Sequence, residues 1–137
     1  MASAVCNSFK TEVLGGTHDL DTDVIKLALY TSSASLSAST TAYSATNEVS
    51  GTGYTAGGNT LAGAVISLDS STAIVDFTDT AWTTATITAR YGLIYNSSKT
   101  NKAIAVLDFT TDQTATNGTF TVVFPTADAS NAIIRLS

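Results

Sequence analysis

Three acids alternate in Asp19-Leu20-Asp21-Thr22-Asp23, directly after the chain's one histidine, His18. That spacing opens the loop of a helix–loop–helix calcium site, where alternate side chains of a tight loop converge on one ion. Such a loop also needs glycine at its sixth position, for the sharp turn, and a bidentate glutamate at its twelfth. Counted from Asp19, those positions hold Val24 and Tyr30. The motif fails, and the acids are expected to solvate and cap a turn instead. His18 could act as a general base only beside a nucleophile and an orienting partner. No Gly-x-Ser-x-Gly elbow occurs to present a serine to it. The carboxylates on other segments show no spacing that singles out a glycosidase-like pair.

A second group surrounds Tyr54: Gly51, Gly53, Gly57 and Gly58, preceded by Asn47-Glu48-Val49. The glycines lack the preceding strand, the six-residue spacing and the following helix of a dinucleotide fingerprint. So many in so short a run mean a backbone that visits conformations other residues avoid, hence a structured loop. Tyr43, Tyr54 and Trp82 lie in or beside expected loops. Such aromatics either anchor a binding partner or plug the open ends of a β domain. Plugging suits Trp82, because tryptophan is rarely left fully exposed. Tyr54 fits either role. The lone Cys6 permits neither an intramolecular disulfide nor a multi-cysteine metal site. It is expected to be a small apolar residue near a loose N-terminus. No catalytic residue, cofactor or metal ligand emerges.

The elements that must hold these residues are strands. Ser8 can cap a short helical turn over Phe9–Leu14, which Gly15-Gly16 would end. From Asp23 the pattern becomes that of strands, with Ile25, Leu27 and Leu29 toward the core and Lys26 and Ala28 opposite. Thr31–Thr41 reads as a polar loop, and residues 42–60 as a long Gly/Tyr loop of functional length. Strands are expected over Leu61–Leu68 and Ala73–Phe77 as a hairpin, and over Thr84–Asn96, where Gly92 suggests a bulge or a close approach. Asn96–Asn101 forms a turn, then Lys102–Phe109 a strand. A loop ending in Asn117-Gly118, a strong turn dipeptide, leads to Thr119–Phe124, and Ala132–Leu136 closes the chain. About seven or eight short strands with regular turns predict an all-β, antiparallel sandwich, jelly-roll-like or immunoglobulin-like. All 137 residues are expected to form one domain, with residues 1–16 as an N-terminal arm and helical turn.

Composition narrows the function classes. Charged residues make up 12% against 44% hydrophobic, with Ser, Thr and Ala filling the difference, which argues against disorder. A net charge of −5 with six scattered basic residues disfavours nucleic acid and anionic membrane surfaces. Met1-Ala2-Ser3-Ala4-Val5 carries neither a basic region nor an apolar one, so no signal peptide is expected. No apolar run approaches the roughly 20 residues of a membrane span.

The runs Gly16–Leu20, Ile25–Thr31, Thr40–Tyr43 and Asn47–Leu61 resemble a family of small structural proteins of tailed bacteriophages. Trp82, Ala89–Tyr95 and Leu107-Asp108-Phe109 are similar to the same pattern. Its most specific part is Glu48-Val49-x-Gly51-x-Gly53-Tyr54-x-x-Gly57-Gly58. The resemblance implies a jelly-roll-like β-sandwich without catalytic residues, serving as a capsid decoration (cement) protein. It would be made in the host cytoplasm and sit on the capsid exterior. Its partners would be the major capsid protein and itself, as a dimer or trimer. A tail or head–tail connector component is the alternative within the same class. A carbohydrate-binding module using Trp82 and the tyrosines is the alternative from another.

Overall fold

Hydrophobic alternation and turn chemistry produce eight strands and one α-helix among residues 4–137, the part of the chain that the computed structural model describes. Met1–Ser3, the start of the expected N-terminal arm, lie outside the described residues. In chain order the elements are β1 (Ala4–Val5), α1 (Asn7–Leu14), β2 (Ile25–Tyr30), β3 (Asn59–Thr60), β4 (Val65–Asp69), β5 (Thr72–Asp76), β6 (Thr80–Asn96), β7 (Lys102–Val122) and β8 (Ile134–Leu136). They form a five-stranded sheet, ordered β1-β7-β6-β2-β3, and a three-stranded sheet, ordered β4-β5-β8. Every pairing is antiparallel. The fold is therefore the expected one: all-β, antiparallel and sandwich-like, with a short N-terminal helix. Phe9 of α1, Leu27, Leu93 and Ile104 of the large sheet, and Val75 and Ile134 of the small one share a single core.

The helix begins before its expected cap. Cys6 occupies the N-cap position in an extended conformation, with no side-chain cap, and Ser8 lies inside the first turn. Its hydroxyl is buried without a partner. Tertiary anchoring does the work of a cap, because the Cys6 amide donates to the Ile104 carbonyl at 2.8 Å. Cys6 is thus fully buried rather than on a loose terminus. Burial, helped by the charge of Glu12, pushes its thiol up to about 11. At the other end Gly16 takes φ +76°, and the Gly16 and Thr17 amides return to the Val13 and Glu12 carbonyls. That is the helix-ending motif the glycine pair predicts.

The largest departure is β7. The sequence suggests a loop after Phe109 ending in Asn117-Gly118, but β7 continues to Val122 and pairs with β6 again from Gln113 onward, on the far side of an excursion over residues 109–112. Asn117 does adopt a left-handed conformation, φ 46°. It spends it on a bulge: Gly118 faces Ala85 and Ala115 faces Ile87. The longer excursion follows Asp108, where β6 advances two residues while β7 advances five. Thr110 takes φ 74° there and donates its amide to the Asp108 carboxylate at 2.7 Å. The bulges avoid Gly92, which pairs with Leu29 and Leu107 and is instead a close approach. A Cβ there would lie 3.0 Å from a Leu27 methyl.

Two smaller corrections concern faces and limits. Ile25, Leu27 and Leu29 are buried as expected, but so are Ala28 and Tyr30 on the other face. The loop over residues 43–58 folds against that side of β2, the Val49 amide donating to the Leu29 carbonyl. The expected hairpin forms between β4 and β5, with β4 starting at Val65 rather than Leu61.

Candidate functional site

The glycine and tyrosine loop closes on one carboxylate. Glu48 bridges Tyr30 in the β fashion, which points its side chain back into its own loop. Glu48 Oε1 accepts from the Tyr43 hydroxyl at 2.6 Å. Oε2 accepts from the Tyr54 hydroxyl at 2.5 Å and from the Gly57 amide at 2.7 Å. The Tyr54 oxygen in turn accepts from the Leu29 amide on β2, and Tyr95 donates to the Gly57 carbonyl. Tyr43 stacks on Tyr95 with ring centroids 4.8 Å apart. Tyr54 leans on Trp82, which meets Phe120 edge-on. Burial, reinforced by Glu48, holds the Tyr43 and Tyr54 hydroxyls well above their ordinary range, so they remain donors.

Close approach explains the glycines. A Cβ on Gly51 would stand 2.5 Å from the Thr86 carbonyl oxygen, and one on Gly53 would stand 2.8 Å from Ala85 Cα. At Gly58 the added carbon would run into the Leu27 carbonyl. The loop therefore lies directly on the backbones of β6 and β2, and the Thr86 amide seals the contact by donating to the Thr52 carbonyl at 3.0 Å. Tyr43, Glu48, Gly51, Gly53, Tyr54, Gly57, Gly58 and Trp82 thus come together as one internal latch. Trp82 sits in β6 rather than in a loop and is only 4% exposed. Both Glu48 oxygens carry donors from the loop, so the arrangement positions that loop.

His18 stands in a second polar network. Its Nε2 lies 3.0 Å from Glu12 Oε1 and its Nδ1 lies 3.0 Å from Asn96 Nδ2. Asn96, fully buried at the end of β6, also donates to Asp23 Oδ2, and its Oδ1 accepts from the Ser98 amide. An amide nitrogen can only donate, so Nδ1 accepts and Nε2 carries the proton toward Glu12. Burial pushes the Glu12 carboxyl up, but bonds to His18 and Lys102 outweigh it and hold it below its ordinary value. The bond from Asn96 lowers Asp23 likewise. Asp23 also accepts from the Asp19 amide at 3.0 Å, the turn role expected of this cluster. No group of three or more His, Cys, Asp or Glu side chains among the described residues could hold a metal ion. Asn96 and Glu12, which carry this network, escape sequence reasoning, because a polar residue at a strand end or on a short helix looks like any other solvated residue until the fold sets His18 beside it.

Apolar side chains also reach the outer surface among the described residues. A groove of about 320 Å³ runs between α1 and the small sheet, lined by Phe9, Val13, Leu20, Val75 and Ile134, with Ile66 and Leu136 at its margin. Beside it β4 is exposed along most of its length. No sequence signal separates this strand from its buried neighbours, since Val65, Ile66 and Leu68 look like core residues.

Comparison with family models, curated proteins and solved structures returns no match. Among the described residues, no helix is long and apolar enough to cross a membrane.

Proposed function

We propose that this chain is a structural protein of a tailed-bacteriophage particle, a capsid decoration protein that binds the major capsid protein and stabilises the shell from outside. One observation carries the reading furthest. The residues that bear the resemblance, from Glu48 to Gly58, form an internal latch, so the signature belongs to the architecture of the fold. What the molecule offers outward is weakly charged Ser/Thr surface and a few aliphatic side chains. Such a surface suits many modest contacts repeated by symmetry, which a shell multiplies into high avidity. The net charge of −5 favours a protein partner over nucleic acid or a membrane.

The test is particle biochemistry. Purified virions should contain the protein in a copy number fixed by shell symmetry, and the purified chain should rebind capsids stripped of it. Virions without the protein would end the proposal. Cryo-microscopy separates the nearest alternative: icosahedral sites mean decoration, rings or fibres mean a tail or connector component. The carbohydrate-binding alternative draws little support from the aromatics, because Trp82 is buried and the Tyr43 and Tyr54 hydroxyls are engaged internally. A glycan array is expected to show no binding.

A further inference from the structure

We infer that β4 is a self-pairing edge: two copies of the chain join antiparallel along Val65–Asp69 and merge their small sheets across a two-fold axis. The inference goes beyond shell binding and does not depend on it. β4 is the outer strand of its sheet, and its register with β5 runs without a bulge from Val65 opposite Asp76 to Asp69 opposite Thr72. Exposed edges are normally blunted by lysine, proline, bulges or a covering segment. β4 has no lysine, arginine or proline. It instead exposes Val65 (57%), Ile66 (50%) and Leu68 (70%).

The face of these side chains specifies the partner. Ile66 and Leu68 pair with Val75 and Ala73, which pair in turn with Ile134 and Leu136. Paired residues share a face, so these side chains form one apolar layer, buried at Val75 and Ile134 and open to solvent at Ile66 and Leu68 on the β4 edge and at Leu136 on β8. A partner strand must continue that layer, and the chain's own β4 does so. With Ser67 opposite its symmetry mate, Ile66 of each copy faces Leu68 of the other. The layer then closes over the axis. A slip of one residue would set Ile66 against Ser67 and break it. Charge is compatible as well. In this register each Asp69 faces Val65, so no like charges stand opposite. The Asp69 carboxylate is already held by the Ala129 amide at 2.7 Å.

The register makes the test specific. Residues directly opposite across an antiparallel pair have Cα atoms about 4.5–5.5 Å apart, within the span of a disulfide. Ser67→Cys in the full chain should therefore cross-link to a covalent dimer under mild oxidation, since Cys6 is buried and takes no part. Thr121→Cys, on the exposed part of β7, should not. Light scattering with size exclusion should give a dimer for the unmodified chain at micromolar concentrations. The double variant Ile66→Lys, Leu68→Lys should weaken it about 100-fold or more by placing like charges together. A monomer at every accessible concentration overturns the inference and leaves the edge for a strand of another protein. A dimer that fails to cross-link through Ser67→Cys overturns it too. The cysteine variant alone decides the matter if the lysine variant does not fold.

Discussion

The β6–β7 ribbon and the small sheet meet the same physical problem in opposite ways. β2 reaches β6 only from Tyr91 to Asn96, which leaves Trp82, Ala85 and Ile87 needing cover beyond its end. The chain supplies that cover itself, laying the loop over residues 43–58 on the strand backbone and tying it down through Glu48. The ribbon is also irregular, with register shifts and left-handed residues at Thr84, Thr110 and Asn117. β4 has neither cover nor irregularity. The contrast separates two sets of residues: those in the latch should determine stability and leave assembly alone, and those on β4 should do the reverse.

The sharpest way to break the contrast is at Gly58. An alanine there combines a left-handed backbone, φ +77°, with a direct collision against the Leu27 carbonyl and Ala28. Conformational strain and overpacking together are expected to cost about 3 kcal/mol or more. Gly16 serves as the ruler, having nearly the same φ, +76°, with nothing within 4 Å of an added Cβ. Gly16→Ala should therefore cost only about 1 kcal/mol. Urea midpoints of the two variants measure the difference. Equal losses would mean that the loop does not lie on β2.

Glu48 is the next point of leverage. Glu48→Ala strands the Tyr43 and Tyr54 hydroxyls and the Gly57 amide, for an expected loss of about 2 kcal/mol. Glu48→Gln should lose only about 1 kcal/mol, because its one remaining oxygen can serve Tyr54 and Gly57 while the Tyr43 hydroxyl turns to accept from the new amide. Neither variant should alter the dimer measured by light scattering.

Alkali probes the same region without mutation. Burial comes first among the causes that raise Tyr30, Tyr43, Tyr54 and Tyr95 above 10.0. A group whose folded value is raised contributes stability that is fully present below the unfolded value and is lost as pH rises toward the folded one. Stability should therefore be flat up to about pH 8. It should begin to fall there as the unfolded Cys6 thiol ionises while its buried counterpart stays protonated up to about 11, and fall more steeply above about pH 10. Tyrosinate absorbance from these residues should appear together with unfolding, not before it. Early ionisation of the set would show the latch to be open to water.

How much of this was legible in the residues depended on whether the cause was local. Gly15-Gly16 ends a helix and the glycines around Tyr54 make a structured loop because conformational freedom is a property of the residue itself. The alternation in β2 and β6 likewise announced strands. Asn117-Gly118 misled because the same freedom serves a turn or a bulge, and only the length of the partner strand decides between them. Ser8 misled because Cys6 is pinned by Ile104, nearly a hundred residues away in sequence. Glu48 was legible as part of a motif, yet its role needed Tyr43, Tyr54 and Gly57 in space. The exposure of β4 had no local cause at all, since Val65, Ile66 and Leu68 would read the same in a buried strand.

The smallest expected effect tests the bare side of the contrast. Leu68 is 70% exposed and lies outside the common core, so Leu68→Thr should change the stability of the isolated chain by no more than about 0.5 kcal/mol. Its effect should appear only through mass action. An associating chain gains stability with concentration, so the Tm of the unmodified protein should rise as it is concentrated. The Tm of Leu68→Thr should rise less or not at all, and the two proteins should melt together at high dilution. A variant already less stable at high dilution, by more than about 1 kcal/mol, would place Leu68 in the packing of the monomer. β4 would then resemble the latch, and the division between residues that hold the fold and residues that join copies would be lost.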